Sequence, residues 1–182
     1  MAINREELLA VQMGCGQAKN FGKILKCINY GNVGTYQAAG IAGPGFGTIE
    51  YCINYGTINA RNRANGIQGG STIDVSNVIS NCYNIGQING PSYDSYGIAA
   101  ENTGLIKNSY NVGKGTGDNY KIVNKNTGTI ENSYYLNETL DDGTILTEEF
   151  MKSDNFLNML GSEYVKDNSG KNNGYPMLKW QK

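Results

Sequence analysis

The chain has 182 residues, with 15 basic and 16 acidic side chains and a net charge of −1. That balance gives no electrostatic footprint for nucleic acid or an anionic membrane surface, and no apolar run approaches the ~20 residues of a membrane span. It contains no histidine, which removes the zinc-protease signature HExxH and most metal sites, and its 25 glycines point to many turns or close backbone approaches.

Residues 4–12 read as a helix, with Asn4 as cap, Glu7 at the capping-box position, and Leu8, Leu9 and Val11 as apolar surface. From residue 21 the pattern changes to a repeat. The phrase Cys27-Ile-Asn-Tyr-Gly returns as Cys52-Ile-Asn-Tyr-Gly, Cys82-Tyr-Asn-Ile-Gly and Ser109-Tyr-Asn-Val-Gly, with a frayed copy from Ser133. The steps are 25, 30, 27 and 24 residues, so one short unit is copied along an axis. Ile24, Ile49, Ile79, Ile106 and Ile130 stand three residues before each anchor. Glycine stands two before those, at Gly22, Gly47, Gly104 and Gly128, with Asn77 the exception. Val33, Ile58 and Ile88 follow the first three anchors by six, and a second phrase appears at Gly40-Ile-Ala-Gly, Gly66-Ile-Gln-Gly and Gly97-Ile-Ala-Ala.

The conserved spacing inside unequal steps predicts loops inserted at fixed corners of a solenoid. The fixed runs are short, β-branched and aromatic, with no 3.6-residue period, so strands fill the unit. The expectation is an all-β chain: a β-solenoid, or parallel β-helix, of about five rungs ~4.8 Å apart. Asn29, Asn54, Asn84 and Asn111 then form a column able to hydrogen-bond as an amide ladder. The flanking pairs read Ile28/Tyr30, Ile53/Tyr55, Tyr83/Ile85 and Tyr110/Val112, so large and small partners trade columns and each rung keeps its volume. Strand alternation sets Cys, Asn and Gly against Ile and Tyr, and either set can face inward.

Residues 147–160 read as one helix or two short ones, with Thr147 as N-cap and Gly161 as stop, and Tyr175-Pro-Met-Leu-Lys-Trp180 reads as an apolar strap. The whole is one domain, 1–182. It divides into a helical cap over 1–20, repeats over 21–137, and a helical cap with the strap over 138–182. The caps are expected to cover open strand edges.

The segment from Gly40-Ile-Ala-Gly through Cys52-Ile-Asn-Tyr-Gly-Thr-Ile58, repeated in order from Gly97 to Gly113, resembles the GLUG-motif repeats of bacterial surface proteins. The likeness runs over roughly residues 20 to 137, and the Tyr-Pro-Met-Leu-Lys-Trp ending is similar to the segment that closes such arrays in Firmicutes. This chain departs by carrying isoleucine where the family often has leucine and Ala100 in place of a glycine. The resemblance implies an extracellular β-helical module of the kind found in large adhesins and in secreted proteases that cleave immunoglobulin A. Met1-Ala2 reads as an expression start, which leaves a removed leader open.

Candidate chemistry is sparse. Cys27, Cys52 and Cys82 would form a row of buried thiols filling small space, interchangeable with Ser109 and Ser133; parallel side chains suit disulfides poorly, and there is no CxxC pair. Cys15 lies outside the row. The 13 tyrosines include Tyr30, Tyr55, Tyr83, Tyr110 and Tyr134, which would stack into a strip for a sugar or protein partner, although column packing explains the same rows. Asp74, Asp94, Asp118, Asp141 and Asp142 scatter through corners without a paired-acid arrangement, and Asp141-Asp142-Gly143 reads as a turn. Thr35, Thr57, Thr72 and Thr127 fall at unmatched places, which argues against an ice-binding face. No catalytic residue, cofactor or metal is expected. The function expected is a non-catalytic structural or adhesive module of a bacterial surface or secreted protein. It would present the loop segments 59–65, 89–96 and 114–121 and the tyrosine face to a protein or glycan. The alternatives are a carbohydrate-binding domain and a polysaccharide-degrading β-helix enzyme.

Overall fold

The computed structural model describes residues 22–45, 47–70, 75–91, 95–115 and 121–182. The helix expected over residues 4–12, and Cys15, lie outside that set. The described chain is a β-solenoid whose turns stack in parallel. The isoleucine runs Lys23–Leu25, Thr48–Glu50, Val78–Ser80, Leu105–Lys107 and Thr129–Glu131 form one five-stranded sheet, with Ile24, Ile49, Ile79, Ile106 and Ile130 in register. The anchor phrases form a second: Ile28–Asn29, Ile53–Asn54, Tyr83–Asn84, Tyr110–Asn111 and Tyr134–Tyr135. A third side holds Val33–Ala39, Ile58–Asn65 and Ile88–Asn89. The second phrase closes the turn, where Ala42 bridges Gln68, Gln68 bridges Ala99, and Ala99–Asn102 pairs with Val123–Asn126. Lys121-Ile122-Val123 is therefore a further copy of that phrase, with lysine in the glycine place.

Cys and Asn point inward. Cys52, Cys82, Asn54, Asn84 and Asn111 are fully buried. The amide ladder is formed: Asn29 Nδ2 donates to Asn54 Oδ1 at 2.7 Å, Asn54 to Asn84 at 2.6 Å, and Asn84 to Asn111 at 2.7 Å. The second N–H of each donor closes its own corner on the carbonyl of Gly31, Gly56 or Gly86 at 2.9 Å. In the fifth rung Tyr135 takes the place opposite Asn111 and the ladder ends.

The glycines of the anchor phrase serve close approach rather than positive φ. A Cβ on Gly56, Gly86 or Gly113 would lie 2.0, 2.0 and 2.1 Å from the carbonyl oxygen of the neighbouring rung's glycine. The residue in left-handed conformation is instead the one just before the anchor: Lys26, Tyr51, Asn81, Asn108 and Asn132, with φ between 44° and 57°. Asparagine tolerates that region best, and it fills three of the five places.

The anchor side chain does more than fill space. The thiol or hydroxyl donates back to the carbonyl two residues earlier, at 3.2 Å for Cys52 and Cys82, 2.9 Å for Ser109 and 2.8 Å for Ser133. It also accepts the backbone N–H of the anchor one rung before: Cys27 to Cys52 Sγ at 3.4 Å, Cys52 to Cys82 Sγ at 3.4 Å, Cys82 to Ser109 Oγ at 3.2 Å, and Ser109 to Ser133 Oγ at 3.1 Å. The position requires a small X–H group, which is why Cys and Ser exchange there.

The C-terminal region holds the two short helical segments expected over 147–160. Thr147 accepts the Phe150 N–H at 3.2 Å, a 3-10 turn covers Phe150–Lys152, and Ser153 caps the helix Asp154–Leu160 through the Phe156 N–H at 3.2 Å. This helix and the hairpin of Tyr164–Val165 with Met177–Leu178 lie along the flank of the anchor sheet, packed on Ile53, Tyr83 and Tyr110. The outer face is too apolar to stay in water, so the chain folds back over it.

Asn84→Ala removes a double-sided ladder member and is expected to lower unfolding free energy by about 2–4 kcal/mol in urea titration, whereas Asn89→Ala, on the surface, stays within ~0.5 kcal/mol. Cys52→Ser keeps the corner bonds; Cys52→Val orphans the Cys27 N–H and costs roughly 1–3 kcal/mol more in the same titration.

Candidate functional site

The tyrosine strip is continuous in ring contacts from Tyr30 to Tyr110. Tyr30 and Tyr55 stack with centroids 5.2 Å apart and planes 3° apart, and Tyr83 and Tyr110 stack at 4.9 Å and 9°. The large residue changes column between the second and third rungs, and there the rings meet edge to face, Tyr55 against Tyr83 at 6.1 Å and 89°. Tyr134 meets Phe156 at 5.7 Å.

Most of the strip is not open to a partner. Tyr83 and Tyr110 are fully buried, because the chain's own C-terminal segment covers them. Asn172 is the hub of that contact. Its Oδ1 accepts from the Tyr55 hydroxyl at 2.8 Å and the Tyr83 hydroxyl at 3.2 Å, and its Nδ2 donates to the Tyr110 hydroxyl at 3.0 Å and the Pro176 carbonyl at 2.9 Å. Gln181 adds an acceptor for Tyr83 at 2.8 Å and a donor to Tyr55 at 3.1 Å. Tyr110 also donates to the Pro176 carbonyl. The loop bearing Asn172 is shaped by Asp167, whose carboxylate accepts the backbone N–H groups of Asn172 at 2.7 Å, Gly174 at 3.1 Å and Ser169 at 3.1 Å. Burial opposes that charge, but the donors from Gly174, Asn172 and Ser169 outweigh it and hold the carboxyl below its usual range.

Of the five expected partner residues, Tyr30 alone is open, at 62% exposure; Tyr55 and Tyr134 are half-buried. Tyr30 and Tyr55 border a cleft of about 670 Å³ against Trp180, Met177, Gln181 and Lys171. This cleft exists because the strap stops short of the first rung's ring, and nothing in the repeat pattern foretold Trp180 beside Tyr30.

The remaining candidates are structural or lie elsewhere. The Cys27 thiol is raised by its hydrogen bond with Cys52 and by burial, and burial raises Cys52 well above the ordinary thiol range, so both stay protonated and unreactive at neutral pH. Cys27, Cys52 and Cys82 are free of disulfides. Among the described residues no cluster of three or more His, Cys, Asp or Glu could hold a metal. Asp141 and Asp142 are exposed, and Asp142 accepts the Thr144 N–H at 2.9 Å in the expected turn. Asp74, Asp94, Asp118 and Thr72 lie outside the described residues, as do parts of segments 89–96 and 114–121. Segment 59–65 is not a loop: it is strand, because Val33–Ala39 offers it a neighbour to pair with.

No family model matches the chain, and no curated protein matches it. A solved Bacteroides ovatus protein named "putative immunoglobulin A1 protease" superposes with a TM-score of 0.57 at 20% identity, over 95% of this chain and 64% of that one. The likeness is one of fold: a β-solenoid. This chain spans less than two thirds of that protein's length. Among the described residues no helix is long and apolar enough to cross a membrane.

Asn172→Ala strips partners from three tyrosine hydroxyls and is expected to cost about 2–4 kcal/mol. Hydrogen exchange then speeds up over 164–178 before it does in the ladder strands. Alkaline unfolding supplies a separate check. Burial pushes the phenols of Tyr83, Tyr110 and Tyr164 well above their ordinary range and Tyr175 up to about 12, the last also through Glu148. These groups keep their protons in the folded chain at a pH where the unfolded chain gives them up. Stability is thus intact below ~pH 10 and falls as pH rises beyond it, with tyrosinate absorbance and loss of β signal appearing together.

Proposed function

We propose that this chain is a non-catalytic structural or adhesive module of a bacterial surface or secreted protein. One observation supports the reading most: the side chains able to do chemistry are committed to holding the rungs. Thiols close corners, amides form the ladder, and the phenols of Tyr83 and Tyr110 bind Asn172 of the C-terminal segment. The product is a rigid coil that holds its surface in fixed register, which is what presentation to a partner requires. The GLUG-like phrases and the immunoglobulin A1 protease name of the Bacteroides ovatus neighbour are in keeping with an extracellular setting, with this chain as an accessory region.

Carbohydrate binding is the second reading, and the cleft between Tyr30, Tyr55 and Trp180 favours it. Aromatic rings with polar tips suit the apolar faces of sugars. A polysaccharide-degrading activity has no comparable support.

The purified chain, incubated with immunoglobulin A and with pectin-type and host polysaccharides, is expected to release neither fragments nor new reducing ends. Catalytic release of either overturns the non-catalytic reading. On a glycan array, Tyr30→Ala combined with Trp180→Ala is expected to weaken any cleft-dependent retention by roughly tenfold, ~1.4 kcal/mol. Retention that survives the double change removes the cleft from consideration.

A further inference from the structure

The third side of the coil is widened in two rungs. Val33–Ala39 and Ile58–Asn65 run for 7 and 8 residues, while the next strand there, Ile88–Asn89, has 2. Their pairing slips partway along: Thr35 lies opposite Ala60 but Gln37 opposite Arg63, so Tyr36 faces both Arg61 and Asn62. A bulge of this kind bends the strand and re-aims side chains. Tyr36 stands 62% exposed, and Arg61 is exposed beside it. The two border a shallow depression of about 580 Å³, floored by Gly34, Thr35, Asn59 and Asn89.

The floor has an unusual chemistry. Asn89 Nδ2 donates to Asn59 Oδ1 at 2.9 Å, an exposed copy of the inner ladder. That one bond leaves the Asn59 amide N–H groups and the Asn89 carbonyl facing solvent without another partner among the described residues. Arg61 likewise makes no ion pair among them. Beneath the floor, Val33, Ile58 and Ile88 are buried, so the ledge is held rigidly. The coil needs neither the bulge nor Arg61 in order to stack.

We infer that this ledge is a binding site for an acidic sugar, that is, a saccharide bearing a carboxylate. The inference deepens the binding-module reading and rests on it. The guanidinium of Arg61 offers a planar fork that matches a carboxylate with two parallel hydrogen bonds. Asn59 and Asn89 offer a donor and an acceptor side by side, which suits neighbouring ring hydroxyls. Tyr36 supplies a ring face for the apolar side of the sugar. An acidic peptide fits the floor less well. Ile58 and Asn59 are already paired on both sides, with Val33 and Gly34 and with Ile88 and Asn89, so a peptide cannot add a strand at the Asn59–Asn89 floor.

Titration calorimetry on the full chain tests this with oligogalacturonate, a sialylated oligosaccharide, the methyl ester of oligogalacturonate, and polyglutamate. At least one of the two carboxylated saccharides is expected to bind, more weakly at high salt, with the neutral ester at least tenfold weaker if oligogalacturonate is the ligand. Arg61→Gln and Tyr36→Ala are each expected to lose roughly tenfold, with melting temperature unchanged because both side chains are exposed. Trp180→Ala, in the other cleft, is expected to leave that binding unchanged. Absence of binding by both carboxylated saccharides overturns the proposal. So does equal binding of the ester where oligogalacturonate is the ligand, unchanged affinity in Arg61→Gln, or tighter binding of polyglutamate. Any of these alongside array retention elsewhere on the molecule removes the ledge and leaves the binding-module reading intact.

Discussion

A carboxamide buried at the inner corner of each of four successive turns has to find its partner in a neighbouring turn. Asn54 illustrates the constraint: its side chain accepts from Asn29 below, donates to Asn84 above, and closes its own corner on Gly56. Each of these groups would be costly to leave unpaired in the interior, by ~1–3 kcal/mol. A slip of one residue would turn every asparagine outward and every isoleucine or tyrosine inward. The amide column therefore fixes the register that the isoleucine columns could only suggest, since apolar contact alone is not directional. The glycine column is a consequence. The asparagine and the neighbouring carbonyl occupy the place where a Cβ would have to go.

The outer face of the same sheet poses the opposite problem. Isoleucine, valine and tyrosine there are too apolar to remain in water, yet each phenol carries a hydroxyl that needs a partner once covered. The C-terminal segment meets both demands at once. Phe156, Leu160, Tyr164 and Leu178 bring apolar surface, and Asn172 and Gln181 bring the donors and acceptors. In the first copy of the anchor phrase Ile28 is buried but Tyr30 escapes cover and remains exposed. The surfaces left for recognition are thus the edges of this arrangement: the cleft at Tyr30 and the ledge at Arg61.

The columns were legible in the sequence because stacking repeats the same local demand at every rung. The anchor spacing, the asparagine ladder and the exchange of large and small partners at Ile53/Tyr55 and Tyr83/Ile85 all follow from that, while the hydrogen bond of Thr147 at the start of the C-terminal helical segment was legible from local sequence instead. What the repeat does not encode was not legible. Which face points inward depends on a cover supplied from residues 147–182, far away in sequence. The hub role of Asn172 depends on a loop that Asp167 shapes. Cys27, Cys52 and Cys82 looked like space-filling thiols because a hydrogen bond from the preceding rung's backbone leaves no mark in composition. Asn81, Asn108 and Asn132 were a readable signal for the left-handed corner, obscured by Lys26 and Tyr51 in the same place. Lys121 hid a copy of the second phrase, and segment 59–65 read as a loop because its polar residues pair only with a strand one rung away.

The central claim is that the asparagine side chains of successive rungs are hydrogen-bonded to one another in the interior. Side-chain amide hydrogen exchange, followed by NMR on the assigned Asn54 and Asn84 NH₂ groups, addresses it most directly. Protection that approaches that of the ladder backbone, released only with global unfolding, is the predicted result. Exchange as fast as that of a solvent-exposed asparagine would contradict the account.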